Sequence, residues 1–274
     1  MELTLSIYNP LMAEQFEKDN YKITVTGNKK KTNRCFVFFS SNGIYFPNEE
    51  EVFKQQMVEK DYYEWLNIST NPKITKYVDK IIFVRDTYKI WYQYGINNLV
   101  NSVDKLAEFL KEETKGYETY TIGSSAGGYA AALFGAKINA KAAFSNSAQF
   151  DISITDGVGY QPIVELLKEN IIDDTYFNIT GKLGNIPVFY LCPINSTQDE
   201  IQYNLVKSLD NIHPFIFPCD KHGATIHGAN WPFLLTTPVD RLIKLSNGLN
   251  HKSIDINKFG VKSCFAWALG KIFG

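Results

Sequence analysis

The sequence predicts an α/β protein with a mainly parallel sheet, on three observations. Seven short runs rich in Val, Ile, Phe and Tyr recur along its 274 residues, and helical stretches separate most of them. From the third run onward the apolar character is continuous rather than alternating, as in strands buried on both faces. In order, the runs are 21–27 (YKITVTG), 34–40 (RCFVFFS), 80–86 (KIIFVRD), 117–123 (YETYTIG), 140–146 (AKAAFSN), 186–192 (IPVFYLC) and 214–218 (PFIFP). Residues 97–113 read as a helix with Leu99, Val103, Leu106 and Leu110 on one face, and 126–137 as a helix of small residues. Later helices are expected over 199–211 and 232–248. Two stretches break the rhythm, the aromatic and charged 46–78 and the long 151–185, which is the better candidate for a lid over the carboxyl edge of the sheet.

Length and composition suit a single domain spanning 1–274. A formal net charge of -1 gives no global field for nucleic acid or an anionic membrane. The opening MELTLSIYNPLMAEQ has an acidic second residue and a broken apolar run, which does not read as a signal peptide, and no apolar run approaches a membrane span. Cys35, Cys192, Cys219 and Cys264 form no CxxC pair. They read as reduced thiols of a cytoplasmic protein, with neither a disulfide framework nor a metal site.

The stretch TYTIGSSAGGYA (119–130) joins a strand to a helix through five small residues. Gly123-Ser124-Ser125-Ala126-Gly127 is G-x-S-x-G, the pattern of a nucleophile elbow, in which a strained turn lifts a serine above the sheet. Ser125 is the candidate nucleophile. The helix start beneath it favours negative charge, and the amide of Ala126 is placed to donate to an oxyanion. A second oxyanion donor is expected after the early strand CFVFF, from Asn42 or Gly43. A serine needs a base, and the chain has four histidines. In this arrangement the acid follows a later strand and the histidine follows the last one. Asp199 follows IPVFYLC, with Asp220 as its rival, although the T-x-x-E pattern at 197–200 gives Asp199 a helix-capping role as well. His222 and His227 follow PFIFP, and His227 is preferred because it lies farther along the loop, beside Gly228. His213 would enter a strand. Arg85, Asp86 and Trp91, after the third run at the same sheet edge, are candidates for a sugar-binding wall or an ordinary loop ion pair over packed rings.

FVFFSSNG, FVRDTYKIWYQYG, IGSSAGGYAAALFGAKINAKAAFSNSAQFD and the late Asp199 and His227 together resemble the α/β-hydrolase-type O-acetyltransferases of bacterial capsule polysaccharides. The resemblance spans about 35–245, and its specific part is the Ser125 region. It implies an α/β-hydrolase fold and a Ser-His-Asp triad that takes acetyl from acetyl-CoA and passes it to a hydroxyl of a polysaccharide. Ser125 would be the acetylated nucleophile, His227 the base and Asp199 its orienting acid. A carbohydrate esterase with water as acceptor is the alternative, and a catalytically inactive hydrolase-like binding protein a third. Residues 257–274 read as an amphipathic helix with Lys258, Lys262 and Lys271 around an apolar stripe. Packing on the core, or on a second subunit, is the favoured expectation for it, and weak attachment to the inner face of a membrane the other.

Overall fold

The computed structural model describes residues 5–26, 32–155, 161–223, 225 and 230–255. All seven expected strands form: β1 (Tyr21–Val25), β2 (Arg34–Phe39), β3 (Lys80–Val84), β4 (Glu118–Ser124), β5 (Ala142–Asn146), β6 (Val188–Pro193) and β7 (Ile212–Phe217). They make one sheet in the order β1-β3-β2-β4-β5-β6-β7. Only β1 runs antiparallel, against β3; the remaining pairings are parallel. The helices are α1 (Pro10–Phe16), α2 (Glu50–Phe53), α3 (Pro72–Thr75), α4 (Val103–Glu113), α5 (Ala126–Lys137), α6 (Gln161–Lys168), α7 (Thr197–Val206), α8 (Trp231–Thr236) and α9 (Val239–Leu249). This strand order, with a strand–serine–helix turn at its centre, is the α/β-hydrolase fold.

Successive strand residues feed opposite layers, as the two-residue period of a strand requires. Cys35, Val37 and Phe39 of β2 join a core with α4, α5, α6 and α7, while Phe36 and Phe38 join one with α3, α8 and α9. Both faces are therefore covered, which is why the strands read as continuous apolar runs.

Three helix expectations shift. The first turn of 97–113 is not helical: Ser102 caps α4 by accepting from Lys105 N, and Leu99 is left 83% exposed. The 232–248 stretch is two helices, broken at Thr237 and Pro238, because proline cannot supply the amide that a continuous helix needs. Thr197 does not cap α7; Ser196 takes the N-cap position, and its hydroxyl turns to Asp199 instead. Of the stretch 151–185, Ile163, Leu166, Phe177 and Ile179 are packed in the α5-side core. Residues 257–274 lie outside the described residues. Among those described, no helix is long and apolar enough to cross a membrane.

Candidate active site

The parallel register brings the carboxyl ends of β2, β4, β5 and β6 to one edge, with Phe39 level with Gly123 and Ser124 level with Asn146. The candidate residues gather there. Ser125 sits between β4 and α5 at φ 54 and ψ -122, a strained conformation for a residue with a side chain. The turn closes only because its neighbours lack side chains. A Cβ on Gly123 would lie 2.0 Å from Gly127 O, and one on Gly127 would lie 2.3 Å from Phe39 O.

Ser125 Oγ lies 2.9 Å from His222 Nε2, and His222 Nδ1 lies 2.9 Å from Asp199 Oδ2. Asp199 stands in the first turn of α7 with its side chain 1% exposed, and its Oδ2 also accepts from Ser196 Oγ at 2.6 Å. A carboxylate can only accept, so His222 carries its proton on Nδ1 and offers the Nε2 lone pair to the serine. The histidine beside the serine is thus His222 and not the preferred His227, which lies outside the described residues. The loop turns back over the sheet edge directly after β7, so the nearer histidine already reaches the elbow. Asp220, the rival acid, does not occupy the position that Asp199 holds.

The histidine loop is tied to the end of β5. Asn146 Nδ2 donates to Ser124 Oγ at 2.8 Å and to Gly223 O at 3.1 Å, while Gly223 N donates to Ser147 Oγ at 3.0 Å. Thr225 Oγ1 donates to Asn146 Oδ1 as well. The Ser124 hydroxyl is therefore part of this fastening. Neither Asn146, the last residue of β5, nor Ser147 after it carries a periodic signal in the sequence.

The wall candidates divide. Arg85 is 1% exposed; it pairs with Asp61 at 2.9 Å and donates to Asn20 Oδ1 and Tyr62 O. Its ionic partner is not Asp86. That carboxylate, 3% exposed, accepts the amides of Tyr88, Lys89, Ile90 and Tyr92 and shapes the loop from within. Neither reaches the serine; their charges are spent on holding the fold. Trp91 does reach it indirectly, because its indole Nε1 donates to Gln149 Oε1 at 3.1 Å, and Gln149 Nε2 lies 3.4 Å from Ser125 Oγ.

Ala126 opens α5, directly after the nucleophile position. Of the other two oxyanion candidates, the Gly43 amide is already committed to Ser41 Oγ at 3.0 Å, and Asn42 begins the single-turn 3-10 helix Asn42–Ile44 that holds both. Beside Ser124, a cavity of about 300 Å³ is lined by Ser41, Tyr62, Glu64, Trp65, Asn146, Gly223 and Trp231. The Trp65 and Trp231 rings meet edge to face at 4.8 Å. Glu64 accepts from Ser41 N and Oγ, and its carboxyl is raised above the ordinary range by burial, which those two hydrogen bonds partly offset. Among the described residues no group of His, Cys, Asp and Glu is placed to hold a metal.

No protein-family model matches the chain, and no curated protein does. Solved structures of similar fold include the capsule O-acetyltransferase of Neisseria meningitidis serogroup A, 15% identical at a TM-score of 0.43, covering 73% of this chain and 84% of that one. A mutant of the same enzyme in complex with CoA is 14% identical at 0.42 over the same shares. A lipase-esterase related protein from Clostridium acetobutylicum is 15% identical at 0.42, over 85% of this chain and 99% of that one. At identities this low the likeness says nothing about what this chain acts on.

Proposed function

We propose that this chain is a serine-dependent acyl-transfer enzyme working through an acyl-enzyme on Ser125. One observation carries the reading: an unbroken relay from a strained serine through His222 to the buried Asp199. Ser125 Oγ attacks the acyl carbon while its proton passes to His222 Nε2. The carbonyl oxygen takes the negative charge beside the Ala126 amide, and Asn42 is the second donor whose amide is not spent on Ser41. The bond to the leaving group then breaks, and that group takes the proton from Nε2. In the second half an acceptor hydroxyl gives its proton to Nε2 and bonds to the acyl carbon. The Oγ–C bond breaks and the proton returns to Ser125. Asp199 holds the productive tautomer throughout and stabilises the imidazolium.

The finer reading is transfer of acetyl from acetyl-CoA to a hydroxyl of a bacterial surface polysaccharide. Its support is the sequence resemblance. The test is incubation with acetyl-CoA, with and without candidate polysaccharides, scoring free thiol and acetylated product separately. Ser125→Ala is expected to abolish both, by up to about a millionfold, as in other triads. His222→Ala should cost a comparable factor and His227→Ala little. Ser124→Ala should be far milder than Ser125→Ala. Full turnover by Ser125→Ala would end the serine reading, and thiol release without acetylated product would make the enzyme an esterase.

A further inference from the structure

We propose that the Gln149 carboxamide donates a hydrogen bond to the atom that exchanges a proton with His222, and that Trp91 fixes its direction. The proposal rests on the serine reading above. An indole N–H can only donate, so the Gln149 atom 3.1 Å from Trp91 Nε1 must be the carboxamide oxygen. The NH2 end then faces inward, 3.4 Å from Ser125 Oγ and 3.3 Å from His222 Nε2. Gln149 is 4% exposed and Trp91 9%, so water does not compete freely for either. A buried carboxamide NH2 needs an acceptor. Here both partners of that NH2, among the described residues, are the atoms between which the proton moves.

The loop carrying Trp91 is built at some cost. Lys89, Trp91 and Tyr92 have φ of 58, 56 and 60, left-handed values that disfavour side chains. The four amides on Asp86 hold this path, and Tyr92 anchors it by donating to Ser40 O at 2.8 Å. The strained segment delivers one indole N–H to one carboxamide.

In the resting site, the single Nε2 lone pair is taken by the Ser125 hydroxyl, and the Gln149 N–H is left with long contacts. During deacylation the acceptor oxygen enters between Oγ and Nε2. Its O–H donates to Nε2, one lone pair attacks the acyl carbon, and the second is free to accept from Gln149. A thioester sulfur leaving in the first half is a weak acceptor by comparison. Gln149 therefore acts mainly in the oxygen half-reaction, and Trp91 is its positioning residue.

The experiment uses the full chain. Labelling with an organophosphonate first establishes a reactive serine. p-Nitrophenyl thioacetate, whose leaving atom is a sulfur, then separates acylation, seen as a burst of nitrothiophenolate, from deacylation, seen as the steady rate. Gln149→Ala should slow the steady rate by about tenfold to a hundredfold, the value of a hydrogen bond to a charged or reacting group, with the burst nearly unchanged. Trp91→Phe keeps the ring without its N–H and should reproduce part of this loss, and the double variant should be no worse than Gln149→Ala. Gln149→Glu places a carboxylate beside Nε2 while still accepting from Trp91. The His222 ring nitrogens face Asp199, Gln198, Ser125 and Gln149, so the new charge would add to that of Asp199. It should raise the apparent pKa of the steady rate by about one or more. Unchanged deacylation in Gln149→Ala, equal loss of burst and steady rate, or an unmoved pH profile in Gln149→Glu would overturn the proposal. If the wild type takes no organophosphonate label, it is the serine reading that fails.

Discussion

His213 shows how the same side chain serves differently in the strand that leads to the His222 loop. It lies in β7 beside the Phe189 ring, centroids 5.6 Å apart, and burial lowers its pKa from the ordinary histidine range. In the window between that lowered value and about 6.5, the unfolded chain binds more protons than the folded one, so stability rises with pH there. The contribution is present above the unfolded value and lost as pH falls through the folded one. His213→Gln is expected to flatten this slope, seen as a smaller difference between urea midpoints at pH 5.5 and 7.5. An unchanged difference would show that His213 titrates alike in both states. Its strand placement was legible from the sequence, as were Ser125 and Asp199, because motif and strand order specify them. The choice between His222 and His227 was not, since no periodicity governs the path of a loop. Gln149 and Asn146 were equally hidden: each acts through one amide whose direction only the folded neighbours define.

At the elbow the contact between α5 and β2 is backbone on backbone. A helix-interior Gly→Ala exchange ordinarily stabilises by about 0.5–1 kcal/mol, mostly by reducing the freedom of the unfolded chain. Gly127 should reverse that sign, because its added Cβ would meet Phe39 O at 2.3 Å and Ser40 O at 3.0 Å. Gly248 in α9 has nothing within 4 Å of such an atom and is the matched control. Thermal melts should show Gly127→Ala below wild type and Gly248→Ala at or above it; a stabilised Gly127→Ala would mean that the elbow has room to spare. The strands were easy to place because burial on both faces leaves a continuous apolar run. Helix ends were harder. Asn97 and Ser102 redirect the chain ahead of α4 through hydrogen bonds to neighbouring amides, and Pro238 separates two helices that share one apolar pattern.

Across the whole molecule the cysteines report on opening. Cys35 and Cys192 lie on buried strands flanking the sheet centre, and burial pushes each thiol up to about 12. With Cys219 and Cys264 both replaced by Ser, the native protein should resist thiol reagents, and both remaining thiols should react in urea along the unfolding transition. Rapid labelling in buffer would mean that the sheet breathes locally. The order of elements along the chain has a further result for synthesis. Ser125 and His222 stand 97 positions apart, and His222 arrives on the loop after β7, the last strand among the described residues and one edge of the sheet. A chain is made from its N-terminus, and a domain folds as a unit, so the residues of the elbow are synthesised while His222 is still unmade. The nascent protein therefore carries Ser125 before the histidine proposed to take its proton exists, and the proposed relay can close only once β7 and the loop after it are in place.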